Sequence, residues 1–293
     1  MTSNPPDSPR DEIPARTLLL GSGDRRSGLF EAVNRLRPLI ERHFDIVGED
    51  LDYSQTWDPN GADLAIVFGG DGSILRAPRQ MGDQQIPVLG VNLGKLGFLA
   101  DIRPDQLELA IQDLKQGRFR LVDHLMMRCQ LFLHDQPEPV ADRLALNEAA
   151  ILGGPPFSIQ QIDLYVDDEF ATTYRCDGLI VSTPIGSTAH NLSAGGPIVR
   201  KDLQAFVISP ISPHTLTVRP VVDTADRIYE IVVSEPNEST CLVLDGQVVD
   251  SLRPEHRIRI QRADQIFQLI EIPEKGYYRT LRNKLGWGGT IKT

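Results

Sequence analysis

One short stretch limits the possible folds of this chain more than any other. The run Asp63–Phe68 is apolar and partly β-branched, which predicts a buried strand. It leads into the turn Gly69-Gly70-Asp71-Gly72, and a helix is expected from Ser73 onward. A strand, a glycine turn and a helix in this order favour a parallel α/β sheet, in which ligands bind outside the carboxyl ends of the strands.

The glycine turn suits an anionic ligand. Glycines allow positive φ and let a phosphate or a ribose approach the backbone, and the first N–H groups of a helix attract an anion. Asp71 is then a lone carboxylate at the strand tip, placed to accept a hydrogen bond or a proton. The alternative is a tight turn in which Asp71 only caps the helix.

Strands and helices alternate in the first part of the chain. Strands are predicted at Arg16–Leu20, Asp45–Val47 and Ile86–Asn92. Helices are predicted at Leu29–His43, despite Pro38, and at Pro104–Gly117. With the strand before Asp71, this alternation predicts an open, mostly parallel sheet.

The sequence pattern changes after Gly117, where strand-like runs follow one another with turn residues between them. We predict an all-β domain, a layered β-sandwich. Its strands are expected at Met126–His134, Ile159–Val166, Gly178–Ser182, Arg227–Ser234, Cys241–Leu244 and Arg257–Gln261. The stretch Tyr277–Leu285 looks helical and is expected to pack back on the first domain.

These patterns divide the chain into four parts. We expect a disordered, proline-rich tail at 1–14 and an α/β domain at 15–123. An all-β domain at 124–270 and a returning segment at 271–293 follow.

Composition limits the cellular compartment and the classes of binding partner that fit this chain. The 293 residues carry a net charge of −10, which argues against a nucleic-acid or membrane surface and leaves an anionic ligand dependent on a local basic pocket. The three cysteines lie far apart without metal-ligand spacing. No apolar run reaches transmembrane length, and we expect a cytoplasmic protein.

Three further stretches carry polar residues in unusual places. Small hydroxyl residues and glycines fill Cys176–Pro197, which suits a bound base or sugar, or forms only a flexible polar loop. Asn147 and Glu148 interrupt an apolar run, so they are either satisfied internally or face a ligand. Asp245-Gly246 locally predicts a hairpin turn.

Together these stretches resemble the bacterial NAD kinases. The resemblance spans about residues 60–290 and includes Gly69–Ser73, Asn147-Glu148, Asp177–Pro197 and Asp245–Gln247 in the family's order. Further matching stretches are Gly90–Phe98, Ile208–Pro220 and Lys284–Trp287. The resemblance implies a Rossmann-like, phosphofructokinase-like first domain, an NAD-binding second domain, and transfer of the terminal phosphoryl group of ATP to the 2′-hydroxyl of the adenosine ribose of NAD.

The resemblance also implies roles for single residues. Asp71 would be the proton acceptor, Gly72 would let the ribose approach, and Arg76 would contact phosphate. Asn147 and Glu148 would bind NAD, with Glu148 near the ribose hydroxyls. The remaining NAD-binding residues implied are Thr188, Ala189, His190, Asn191, Leu192, Ser193, Arg175, Asp177 and Gln247.

The resemblance implies partners as well. The phosphoryl donor is ATP or polyphosphate, and Mg²⁺ or another divalent cation is expected to arrive with it. No cage of carboxylates for the metal is visible in the sequence. Family members imply a homodimer or homotetramer.

The chain departs from the family pattern at Ile185, His190 and Asn191, where Thr, Tyr and Ser are usual. A histidine can stack on a base, and its charge titrates near neutrality. This predicts an NAD affinity that changes with pH between about 6 and 7.5. The alternative is that His190 is a neutral replacement of similar size.

Two other functions are compatible with parts of the pattern. A lipid kinase would share the Gly-Gly-Asp-Gly turn, but would lack the loop of small residues and would favour a membrane-facing patch. An NAD(H)-binding sensor would keep the pocket and lose turnover, which the departures at Ile185 and His190 make conceivable. Formation of NADP from ATP, Mg²⁺ and NAD separates the three.

Overall fold

The structure is a computed structural model that describes residues 15–23, 28–54, 61–94, 97–133, 136–272 and 277–286. The chain forms two units, one of Met1–Asp123 with Gln268–Thr293 and one of His124–Phe267. The predicted tail at 1–14, the loop at 55–60 and Trp287 lie outside the described residues. The predicted assignment of NAD binding to 124–270 stays a prediction.

The first unit contains a parallel sheet. Its strands are β1 (Arg16–Gly21), β2 (Asp45–Asp50), β3 (Leu64–Gly69) and β4 (Val88–Asn92). Their order is β2-β1-β3-β4, and each neighbouring pair is parallel. The predicted α/β sheet is therefore confirmed, with β2 three residues longer than its apolar pattern indicated.

Helices follow the strands of this unit where the apolar spacing predicts them. They are α1 (Leu29–Glu41), α2 (Asp71–Met81) and α3 (Leu107–Lys115), the last preceded by a 3₁₀ turn at Pro104–Gln106. In α1 the buried residues recur at helical spacing and include Leu29, Val33, Leu36 and Ile40. The helix after the glycine turn begins at Asp71, two residues earlier than predicted, so that Asp71 belongs to its first turn.

Strand β3 is the centre of this arrangement. Its residues Leu64 to Phe68 are all fully buried, as expected for a strand covered on both faces. Because β3 lies between β1 and β4, its carboxyl end carries Gly69 and Gly70 to the middle of the sheet's edge. The fold thereby places Asp71 at the position where ligands of such sheets bind.

The second unit is built from β-strands. The strands are β5 (Arg120–Leu133), β6 (Ala141–Ala145), β7 (Glu148–Leu152), β8 (Gln160–Val166), β9 (Glu169–Cys176), β10 (Gly178–Ser182), β11 (Ala205–Ile211), β12 (Val221–Thr224), β13 (Tyr229–Val233), β14 (Cys241–Leu244), β15 (Gln247–Ser251) and β16 (His256–Glu271). Its only helical segments among the described residues are a 3₁₀ turn at Gly186–Thr188 and the one-turn α4 (His190–Ser193).

These strands form two layers over a shared core. One is a six-stranded antiparallel sheet in the order β12-β11-β10-β7-β14-β15. The other contains β16, β13, β8 and β9 in that order, with β5 and β6 joined to it. Ile151 and Phe206 of the first layer share a buried cluster with Ile162 and Ile258 of the second. The predicted layered β-sandwich is confirmed.

The C-terminal segment belongs to the first unit. Leu269 in the last part of β16 pairs with Val88 of β4 in the parallel direction. Helix α5 (Tyr277–Leu285) has the predicted bounds, and its Leu281 is buried. The predicted return to the α/β domain is confirmed.

No helix among the described residues is long and apolar enough to cross a bilayer.

Candidate active site

Asp71 is held by a backbone segment 27 to 29 residues further along the chain. Its Oδ2 accepts the N–H of Phe98 at 2.7 Å, and its Oδ1 accepts the N–H groups of Leu99 at 2.9 Å and Ala100 at 3.2 Å. The N-cap of its own helix is Gly70, so Asp71 is the first residue of that helix. The carboxylate is oriented by the three amides of Phe98, Leu99 and Ala100.

Two glycines make this arrangement possible. A Cβ on Gly97 would lie 1.8 Å from Oδ1 of Asp71, so only glycine lets the two segments approach this closely. Gly69 has a φ of +136°, and a Cβ there would lie 2.1 Å from Oγ of Ser73. Both positions require glycine for steric reasons.

Two other glycines leave the neighbourhood of the acid open. A Cβ on Gly70 or on Gly72 would meet no heavy atom within 4 Å. Gly72 is also exposed. Among the described residues, no side chain fills the space at these two positions, as the approach of a sugar or phosphate to the backbone requires. The predicted contact of Gly72 with ribose stays a prediction.

Arg76 lies on α2, and its side chain packs on an aromatic ring. Its guanidinium carbon is 5.3 Å from the centroid of the Tyr53 ring. Such a contact orients the guanidinium group and leaves its edge available for hydrogen bonds. The predicted phosphate contact of Arg76 is not tested by this geometry.

Asn147 and Glu148, at the start of β7, are the most unusual polar residues in the second unit. They are only 8% and 7% exposed, yet Oδ1 of Asn147 and Oε2 of Glu148 have no hydrogen-bond partner among the described residues. Burial raises the pKa of Glu148 to about 8, with a further contribution from the charge of Asp245. Buried groups without partners and with a perturbed pKa are typical of ligand sites.

The loop of small residues after β10 is ordered, because its own polar groups hold it together. Ser187 Oγ donates to the carbonyl oxygen of Pro184 at 2.6 Å and accepts the N–H of Val199 at 3.0 Å. These bonds favour an ordered loop over the predicted alternative of a flexible polar loop. Short hydroxyl side chains suit such a loop because they reach the backbone of both of its branches.

Asn191 acts as the central link of this loop. It is fully buried, and its amide donates to the carbonyl oxygens of Ser187 at 3.2 Å and Pro197 at 3.1 Å. Its Oδ1 accepts the hydroxyl of Ser209 at 2.6 Å. A Cβ on Gly196 would lie 2.0 Å from that oxygen. Asn191 thus has a structural role, and its predicted contact with NAD is untested.

The neighbours of Asn191 lie nearer the surface. Thr188, Ala189, His190 and Leu192 are half-buried, and Ser193 is exposed. The hydroxyl of Thr188 donates to the carbonyl oxygen of Ile185 at 3.2 Å. Their assignment to NAD stays a prediction.

The last three predicted residues lie on strands or at their ends. Arg175 is exposed near the end of β9, and Gln247 begins β15. Asp177 is exposed, with Oδ1 3.4 Å from Nε2 of His214. The sequence did not predict this last pair, because His214 lies 37 residues away.

The described residues contain no group of three or more His, Cys, Asp or Glu side chains that could hold a metal ion.

Comparison with known proteins gives consistent matches over both units. Residues 39–119 match a family model described as the ATP-NAD kinase N-terminal domain, and residues 146–272 match the ATP-NAD kinase C-terminal domain. An NAD kinase of Rhodopirellula baltica is 52% identical over 278 residues, which cover 95% of this chain and 88% of that protein. An NAD kinase of Geotalea daltonii is 40% identical over 257 residues, covering 86% of this chain and 89% of that one.

Two solved structures share the fold. A yeast NADH kinase complexed with NADH has a TM-score of 0.85 at 22% identity and covers 95% of this chain and 89% of its own. An NAD kinase from Archaeoglobus fulgidus in complex with ATP has a TM-score of 0.71 at 26% identity, with 94% of this chain and 100% of that chain covered.

Proposed function

This chain belongs to the NAD kinase family, and from that premise we propose how its residues carry out the reaction. The enzyme is a phosphotransferase with an alcohol acceptor. It transfers the terminal phosphoryl group of ATP to the 2′-hydroxyl of the adenosine ribose of NAD, which forms NADP.

The proton acceptor in this proposal is Asp71. The observation that supports it is the fixed carboxylate, which accepts three backbone N–H groups. An ionised carboxylate offers about four lone-pair positions, so one remains for the 2′-hydroxyl. The amides prevent rotation of the side chain, and the acceptor therefore needs no reorganisation during the reaction.

The chemical step balances without any further protein group. The 2′-oxygen forms a bond to the terminal phosphorus, the bond from that phosphorus to the bridging oxygen breaks, and ADP leaves. The hydroxyl proton passes to Asp71 and then to solvent. Because phosphoryl transfer usually has a loose transition state, orientation of the hydroxyl matters more than the strength of the base.

NAD is held, in this proposal, by side chains of the second unit. Asn147 and Glu148 bind NAD, with Glu148 near the ribose hydroxyls. Their buried oxygens, which have no partner among the described residues, support this assignment. The residues from Thr188 to Ser193 hold the adenine and its ribose, and Arg175, Asp177 and Gln247 complete the site. Arg76 contacts phosphate.

A divalent cation such as Mg²⁺ arrives with the donor, in this proposal. When bound, it would offset the negative charge of the donor's phosphate groups. The lack of a carboxylate cluster among the described residues fits a metal held mainly by the nucleotide and water. We also propose a cytoplasmic homodimer or homotetramer, on the basis of the resemblance to the family.

The reaction is tested with the full-length protein, ATP, Mg²⁺ and NAD, by chromatographic detection of NADP. Replacement of ATP by polyphosphate, of NAD by NADH, and addition of a chelator define the donor, the acceptor and the metal requirement. Formation of NADP that stops on chelation supports the proposal. NAD binding without NADP would indicate a sensor, and phosphorylation of a lipid instead of NAD would indicate a lipid kinase; either result would contradict it.

A further inference from the structure

Asp245 lies in the turn between β14 and β15. The turn itself needs only the backbone conformation of this residue and not its carboxylate. Leu244 and Gln247 are opposite each other, so the loop contains only Asp245 and Gly246. Their φ angles are +46° and +76°, as in a type I′ hairpin turn. The predicted hairpin is confirmed, but the turn does not explain why the first residue carries a carboxylate.

The carboxylate of Asp245 binds the backbone of a distant segment, Leu146–Glu148. Its Oδ2 accepts the N–H of Leu146 at 2.9 Å, and its Oδ1 accepts those of Asn147 at 2.7 Å and Glu148 at 3.1 Å. The N–H of Asp245 donates in return to the carbonyl oxygen of Glu148 at 3.0 Å. Four hydrogen bonds therefore connect one turn residue to three consecutive residues.

The other side of that segment is bonded as well. The carbonyl oxygen of Leu146 accepts the hydroxyl of Thr183 at 2.5 Å, and that of Asn147 accepts the N–H of Thr183 at 2.8 Å. Every backbone N–H and C=O group from Leu146 to Glu148 thus has a partner. In contrast, Oδ1 of Asn147 and Oε2 of Glu148 have none among the described residues.

The backbone of this segment is fixed by hydrogen bonds, whereas two of its buried side-chain oxygens lack a partner among the described residues. This combination fits a segment that presents its side chains to a ligand. We propose that Asp245 is a positioning residue of the NAD site, which fixes the backbone of Leu146–Glu148 and thereby orients Asn147 and Glu148 toward NAD. This inference rests on the proposed function of these two residues.

The charge of Asp245 gives the inference a second, electrostatic consequence. After burial, it is the other cause that raises the pKa of Glu148. Among the described neighbours, β10 presents the uncharged Ser182 opposite Glu148, and Asp245 is the charged group that acts on it. Removal of that charge therefore lowers the pKa of Glu148, which the loss of a purely structural contact would not do.

Asp245→Asn is the informative variant. Asparagine also accepts positive φ, and Asn-Gly is favoured in type I′ turns, so the hairpin is retained. Its amide group, however, places a donor against at least one of the backbone N–H groups. Asp250→Asn is the matched control, because Asp250 is an exposed aspartate on β15 of the same hairpin.

Calorimetry of NAD binding between pH 6 and 9.5 measures both consequences. For Asp245→Asn we expect the Kd of NAD to rise at least about tenfold, and the midpoint of its pH dependence to fall below that of the wild type. The control is expected to stay within about twofold. In the double variant with Glu148→Gln, the combined loss is expected to be smaller than the product of the single losses, because both act through the same side chain.

Two results would overturn the inference: an Asp245→Asn protein that binds NAD as the wild type does, or losses that multiply with no change of the midpoint. The proposed function is judged separately, by NADP formation in the wild type and by the Kd of Glu148→Gln alone. A wild type that phosphorylates NAD, with a Glu148→Gln variant that binds it poorly, leaves only the role of Asp245 in question.

Discussion

Glu148→Gln is expected to make the protein more stable at alkaline pH while it weakens NAD binding. The residue Glu148 is 7% exposed, and one of its carboxyl oxygens has no hydrogen-bond partner among the described residues. Glutamine has the same shape and carries no charge. The substitution therefore removes the cost of ionising a buried acid and leaves the packing almost unchanged.

The magnitude follows from the pKa. Folding raises the pKa of Glu148 from 4.5 to about 8, so the folded protein binds this proton more tightly than the unfolded chain. The corresponding stability is complete below pH 4.5 and is lost as the pH rises through 8. The difference amounts to about 5 kcal/mol at most. Since water and local relaxation lower the cost of a buried charge, we expect about 1–3 kcal/mol.

Urea unfolding at pH 5, 7 and 9 measures this effect. The free energy of unfolding of Glu148→Gln, relative to the wild type, is expected to increase by about 1–3 kcal/mol from pH 5 to pH 9. Glu238→Gln, at an exposed glutamate of the same unit, serves as control and is expected to show no such trend. A Glu148→Gln difference that is independent of pH would refute the assignment of a buried, proton-binding acid.

Three further predictions concern the acid and the loop. Gly97→Ala forces Asp71 out of its amide contacts and is expected to lower kcat at least about tenfold in steady-state assays, with little change in the Kd of NAD. Gly94→Ala serves as its control, because a Cβ at Gly94 would meet only one atom, at 4.0 Å. His190→Tyr is expected to remove any change of NAD affinity between pH 6 and 7.5 that the wild type shows; an unchanged profile would exclude His190 as its source. Asn191→Ala removes three hydrogen bonds, two of them buried, and is expected to cost about 2–4 kcal/mol in denaturant unfolding. A cost below about 0.5 kcal/mol would contradict its linking role.

The elements around the site could be predicted from the sequence because each depends on residues close together in the chain. Strand β3 is a continuous apolar run, α1 has apolar residues at helical spacing, and Asp245-Gly246 is a typical hairpin turn. Asn147 and Glu148 could also be singled out, because polar residues inside an apolar run need either an internal partner or a ligand.

The partners of the key acids could not be predicted, because they lie far away in the chain. The amides that hold Asp71 belong to Phe98, Leu99 and Ala100, and nothing in their own side chains indicates that their N–H groups would be used. The same is true of Asp245, whose carboxylate binds backbone groups 97 to 99 residues earlier. Backbone partners carry no residue signature, and only the fold brings them together.

The role of Asp71 as proton acceptor is the central claim, and the rate of NADP formation by Asp71→Asn tests it most directly. Single-turnover measurement at saturating NAD and ATP separates the chemical step from binding. The rate for Asp71→Asn is expected to lie at least about 100-fold below that of the wild type, with a Kd of NAD that changes less than about threefold. A variant that still forms NADP at more than about a tenth of the wild-type rate would contradict it.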